Sequence, residues 1–247
     1  MSPREPTRTE PTPGDPAVKK NTKIALAVTA VVVVGLGVTA AVAGPAFYRD
    51  VVVGEPDAAP TVSVTPGATT VDVSQASGDW TIGDGSSAGY RVDEVLNGTD
   101  VTVVGTTDEV TGTVTLDGTT ITAATVTVDV ASIATDSANR DGYFRDDAME
   151  AGTYPTATFT LTQPIDAAVP ADGEVASVEA TGDLTMHGVT QSVTVDLQAA
   201  LSGDGVQVSG SIPVTFSDYG VDAPSFGFVQ VEDAGSVEFL VAAAPAG

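Results

Sequence analysis

Few folds can accommodate the stretch from Ala180 to Leu197, ATGDLTMHGVTQSVTVDL. Before the His187-Gly188 pair, Val178, Ala180, Gly182, Leu184 and Met186 share one parity, and Glu179, Thr181, Asp183 and Thr185 share the other. After it, Val189, Val193, Val195 and Leu197 continue one parity, interrupted by Gln191, against Thr190, Ser192, Thr194 and Asp196. A period of two places successive side chains on opposite faces of a strand, so each run has one dry face. Glycine at the joint permits the positive φ that a tight hairpin needs. The stretch therefore predicts one hairpin of an antiparallel sheet with a hidden face.

The same alternation runs from Trp80 to the end of the chain. Ala88, Tyr90 and Val92 share a parity, followed by Val101, Val103 and Gly105, and then by Val110, Gly112, Val114 and Leu116. Asp117-Gly118 signals a type I′ turn, after which Ala124, Val126, Val128 and Val130 alternate with threonines and Asp129. Ala157, Phe159 and Leu161 form another run. Val206, Val208, Ile212, Val214 and Phe216, and finally Val237, Phe239 and Val241, complete the set. Eight or nine short strands in a single domain, residues 80–247, suit a closed all-β antiparallel barrel. Asn97-Gly98-Thr99 has the form of a glycosylation sequon, but Asn-Gly is read here as a turn. One segment breaks the pattern. Residues 132–153 are polar and carry Arg140 and Arg145, with a short helix expected from Arg140 to Glu150. Long polar insertions on a barrel are places where function concentrates.

Three segments precede the barrel. Residues 1–23 are rich in proline and poor in apolar side chains, which predicts a disordered cytoplasmic tail. Residues 24–43 are twenty uncharged residues, enough helix to span roughly 30 Å of bilayer core. Lys19, Lys20 and Lys23 just ahead of them place the N-terminus inside and the rest of the chain outside, as a single-pass cell-membrane anchor. Ala41-Val42-Ala43 also has the form of a signal-peptide cleavage site, and either way the barrel is expected to be extracytoplasmic. Residues 44–79 read as a flexible linker rich in proline, glycine, alanine and threonine.

Charge and composition narrow the function. The net charge is −24, and residues 61–247 carry 27 acids against three bases. Such a surface repels phosphate backbones, so no nucleic-acid partner is expected. The chain has no cysteine, which excludes disulfides and thiol chemistry. His187 is the single histidine, with no nucleophile–base set or metal-ligand spacing around it. Local packing or hydrogen bonding in its hairpin is the plainer role, contact with a ligand head group the other. No catalytic residue, metal site or enzymatic activity is expected.

Several stretches, in order, resemble the YceI-like family of extracytoplasmic bacterial proteins: SSAGYRVDEVL (Ser86–Leu96), Arg140-Asp141, YPTATFTLT (Tyr154–Thr162), GDLTMHGVTQSVTVDL (Gly182–Leu197) and FSDYGVDAPSFG (Phe216–Gly227). The resemblance implies a lipocalin-like eight-stranded barrel that holds a long isoprenoid or similar lipid in an apolar tunnel, without chemistry. Asp147-Ala148-Met149 departs from the bulky aromatics of many members. On this reading the ligand-binding residues of the tunnel or its mouth are Tyr90, Arg140, Phe144, Met149, Phe159, Gly182, His187, Phe216 and Phe226. Arg140 and Arg145 either pair with neighbouring acids at the helix start or bind an anionic lipid head. Small inward residues such as Gly105, Gly182 and Gly210 predict unfilled volume, and a leucine at Gly182 is expected to block the tunnel. A solid-cored cell-surface interaction module is the alternative. Partners are then an apolar lipid, the membrane through residues 24–43, and a second copy if the barrel forms a homodimer; the only cofactor-like molecule is the bound polyisoprenoid or other lipid.

Overall fold

Alternating threonine and valine runs dictate extended backbone, because β-branched side chains pack well on a pleated surface. In the computed structural model, which describes residues 56–64, 77–96, 98–166, 170, 173–202 and 205–246, they form twelve strands. These are β1 (Gly78–Ile82), β2 (Ser87–Leu96), β3 (Thr99–Thr107), β4 (Val110–Asp117), β5 (Thr120–Asp129), β6 (Thr156–Leu161), β7 (Ile165–Asp166), β8 (Val175–Met186), β9 (Val189–Ser202), β10 (Gly205–Thr215), β11 (Ser225–Phe226) and β12 (Val229–Pro245). The expected tail over 1–23 and membrane helix over 24–43 lie outside the described residues. Among the described residues no helix is long and apolar enough to cross a membrane.

The strands close into a ring of eight antiparallel staves. β1 and β2 act as one broken stave, and so do β3 and β4, since Ile82 pairs with Gly112 and Ala88 with Thr107 in nearly the same register. β5, β6, β8, β9 and β10 follow in order, and β12 completes the circle. It reaches β2 through the pairs from Val229–Leu96 to Leu240–Ser87, and β1 through Ile82–Ala243 to Trp80–Pro245. The barrel thus begins at Gly78. Outward threonines pair across strands, as in Thr185–Thr190 (Oγ1 to Oγ1, 2.8 Å) and Thr181–Thr194 (3.3 Å).

The insertion occupies the place beside β3 that β5 does not reach, and the bridge between Thr106 and Ala134 ties it there. Its helix, α1, spans Ala138–Tyr143 and runs into a π-helical turn at Phe144–Ala148, so it starts and stops two residues earlier than the sequence suggests. The described part of the linker also touches the barrel. Arg91 Nη2 donates to the Asp57 carbonyl (2.6 Å), and the Ser63 amide donates to Gln207 Oε1 (3.1 Å).

Two turns show the backbone logic. His187 (φ 49°) and Gly188 (φ 75°) both take the left-handed region, as a two-residue type I′ hairpin between Met186 and Val189 requires. The expected Asp117-Gly118 turn lies one residue later. Asp117 pairs with Thr120, leaving Gly118-Thr119 as the loop, with positive φ (63°) at Gly118 alone, which fits type II′. Gly98 (φ 80°) lies between Leu96 and Thr99, which pair, while Asn97 of the expected Asn-Gly turn lies outside the described residues.

Replacing Gly188 by alanine tests the hairpin. A Cβ there would sit 2.6 Å from Tyr154 Cε1 on top of the left-handed backbone cost. Urea unfolding should show a loss of about 1–3 kcal/mol with an unchanged m-value.

Candidate functional site

The barrel interior is divided along its length. At the end bearing the insertion and the His187 turn, Val130, Met149, Ala151, Met186, Val214, Tyr219 and Val221 pack together, each less than a tenth exposed. Toward the opposite end, where the Gly118 turn lies, the interior is hollow. A cavity of about 230 Å³ is walled by side chains including Trp80, Leu116, Ile121, Ala124, Ala176 and Val206. No charged residue lines it, and its two hydroxyl residues, Thr158 and Ser177, belong to the outward-facing parity of β6 and β8. Buried Ile165 and Pro170, from the segment after β6, also contribute to the wall.

Small inward residues do not all leave space. A Cβ at Gly182 would lie 2.3 Å from Phe159 Cζ, one at Gly210 2.6 Å from Phe239 Cζ, and one at Gly105 2.6 Å from Tyr90 Cε1. Each glycine is a seat for an aromatic ring on the neighbouring strand. The hollow comes instead from alanines, among them Ala124, Ala157 and Ala180 on the wall. Gly182→Leu would therefore collide with Phe159 and with the Thr160 carbonyl (2.6 Å from a Cβ), damaging the fold rather than plugging a tunnel.

Of the nine residues singled out in the sequence, all of them described, Phe159 lies on the cavity wall. Gly182 sits beneath it. Tyr90, Arg140 and Phe144 come together at the other end, as the seal between the insertion and β2. The Tyr90 and Phe144 rings stack at 4.7 Å and 16°. Arg140 spans the buried Glu94 (Nη2 to Oε1, 3.5 Å) and Asp136, the neighbour four residues before it on the chain. Burial pushes the Glu94 carboxyl up from its ordinary value, with the Arg140 cation opposing. Burial also pushes the Tyr90 hydroxyl up to about 12, again opposed by Arg140. Arg145 pairs with Asp146 in the open. Arg140 therefore neutralises a buried acid instead of facing a ligand in the hollow.

The remaining four are apart from the cavity. Met149 is core at the insertion end. Phe216 covers Gly235, whose Cβ would lie 2.6 Å from its Cζ. Phe226 is 52 % exposed and meets the Tyr143 ring edge-on at 5.9 Å. His187 packs edge-on against Tyr154 at 4.7 Å, and its Nδ1 lies 3.3 Å from the Tyr219 carbonyl, so Nδ1–H donates. That geometry matches local packing in the hairpin. Among the described residues no cluster of His, Asp and Glu is arranged to hold a metal ion.

Sequence parity missed several wall residues for a definite reason. A bulge between Thr115 and Leu116 shifts the register, so Leu116 faces Ile121 while Val114 faces Ala124. Ile121 thus joins the wall out of phase with Ala124 and Val126. Trp80, the single tryptophan, was readable as an aromatic but not as the residue at the hollow end.

The model of the YceI-like domain matches residues 80–243, two thirds of the sequence. The chain belongs to the YceI-like family. It is similar to protein YceI of Escherichia coli O157:H7, 43% identical over 72 residues, which is 29% of this chain and 33% of that protein. A UPF0312 protein of Vibrio vulnificus strain YJ016 is 38% identical over 82 residues, 32% of this chain and 40% of that one. The matches thus span only a third to two fifths of these relatives' lengths. Among solved structures, a polyisoprenoid-binding domain from Saccharophagus degradans, implicated in plant cell wall breakdown, superposes with a TM-score of 0.53 at 21% identity. The match covers 67% of this YceI-like chain and 98% of that domain, and it establishes the shared fold.

The seal predicts an alkaline weakness. An unfolded tyrosine ionises near 10 and folded Tyr90 near 12, so between these values the unfolded state loses its proton first and stability falls as pH rises. The loss should approach about 2–3 kcal/mol by pH 12. Tyr90→Phe, which keeps the stack, should remove that part of the pH dependence in denaturation curves.

Proposed function

We propose that this YceI-like barrel binds an apolar lipid in its hollow half and performs no chemistry on it. The observation that carries the reading is the cavity wall, whose inward side chains are hydrocarbon or aromatic throughout, with no charge. Such a space stays dry and favours apolar occupants. The family assignment and the fold shared with a polyisoprenoid-binding domain support an isoprenoid or part of one as the occupant. Each methylene moved from water into the cavity contributes about 0.8 kcal/mol, so affinity should climb roughly fourfold per carbon until the space is full.

Residues 24–43, with the lysines before them, support a membrane tether and an extracytoplasmic barrel. In that setting the protein would sequester or carry a lipid close to the bilayer. A homodimer is compatible with this role and is not needed for it, since the cavity lies within one chain.

Native mass spectrometry tests the reading. The purified protein should carry an excess mass that leaves on extraction with organic solvent and behaves as an apolar chain. Ala199→Phe supplies the control, because Ala199 lies on the cavity wall of β9 and a ring there fills the hollow. This variant should lose at least tenfold in lipid affinity while losing no more than about 1–3 kcal/mol of stability. A bare mass, with no uptake of offered lipids, would count against the proposal.

A further inference from the structure

We infer that the cavity is built for a short uncharged chain of about ten carbons, entered from the Gly118 end, and that it excludes lipids with an anionic head. This rests on the lipid-binding reading and adds length, direction and charge to it.

Length follows from the floor. The rings of Phe159 and Phe239 lie across Gly182 and Gly210, and deeper in the bore Met149, Met186 and Tyr219 are packed, each less than a tenth exposed. The wall continues past these rings to Val128, Ala157, Leu184, Ile212 and Val237, and a chain that enters the hollow stops at the methionine and tyrosine layer below them. A cavity of about 150 Å³ lined by aliphatic and aromatic side chains holds one benzene ring. By that measure 230 Å³ holds about nine or ten carbons.

Direction follows from the wall. Leu116 and Ile121 flank the Gly118 turn, Ala176 and Val206 are the second residues of β8 and β10, and Ala243 lies near the end of β12, so the hollow reaches that rim. The opposite end is closed by the core and by the Tyr90–Phe144 stack.

Charge selection follows from what surrounds the rim. Inside, an anionic head would find no cation and no inward hydroxyl, and burying it unpaired is costly. Outside, Asp79, Asp117, Asp166 and Glu174 are exposed around the same end. The three basic residues of the barrel lie elsewhere. Arg140 and Arg145 belong to the insertion, and Arg91 is held by Glu238 (2.8 and 3.1 Å) and the Asp57 carbonyl. An anionic head therefore meets repulsion at the doorway and nothing to pair with beyond it.

Trp80 is the only tryptophan and lies on the cavity wall, so its fluorescence reports occupancy in the full chain. Three probes separate the outcomes: geraniol, geranyl diphosphate and geranylgeraniol. Geraniol should bind at least tenfold more tightly than geranyl diphosphate, and geranylgeraniol should bind within threefold of geraniol. Ser177→Arg, an exposed position at the rim, should narrow the gap between the first two. Diphosphate binding as tight as geraniol overturns the charge selection, and a tenfold gain for geranylgeraniol overturns the length limit; in both cases lipid binding itself stands. Failure of all three probes, including any Trp80 response, overturns the lipid-binding reading together with this one.

Discussion

A sheet curled into a ring loses its exposed edges only if one strand can hydrogen-bond to both sides of the opening, and here that strand is β12. Its seventeen residues pair with β10 on one side and, in succession, with β2 and β1 on the other. Closure satisfies backbone groups that an open edge would leave for other chains to pair with. It also fixes the radius, because eight staves enclose an interior that side chains either just fill or leave free for one small ligand. Both outcomes occur in this molecule, one at each end.

The division between them is a matter of residue volume along the barrel. At the insertion end, methionines, tyrosine and valines from several elements meet and fill the bore, and the α1 segment lays Phe144 over Tyr90 to finish the closure. The buried carboxyl of Glu94 would be an expense at that seam without Arg140 beside it. Toward the Gly118 turn the wall combines alanines and valines with Trp80, Leu116, Ile121 and Ile165, and a cavity is left between them. Dryness and emptiness therefore have the same origin, an apolar wall whose alanines leave room inside the ring.

Much of the architecture was legible because alternation is a local signal. The hairpin around His187, the inward sets on β4, β5, β8 and β10, and the interrupting insertion all follow from a period of two and its failure between 132 and 153. The site was less legible, because it depends on which ring lies over which glycine and on where a bulge shifts the register. Gly182 looks in sequence like an unfilled position and is in fact the seat of Phe159. Ile121 looks out of phase and is brought to the wall by the bulge beside Leu116. Arg140 reads in sequence as a structural ion ahead of a ligand contact, and its partner Glu94, far away in the chain, is not visible there.

One further consequence comes from the pairing of Trp80 with Pro245. The first and last strands of the barrel meet there, so the polypeptide enters and leaves the ring side by side, at the rim where the hollow opens. The two ends of the barrel are thus neighbours at the end of the ring that carries the Gly118 turn. The far end, with its sealed bore, is free of both chain ends. A label or partner fused to either end therefore sits beside Trp80 and away from the Tyr90–Phe144 stack.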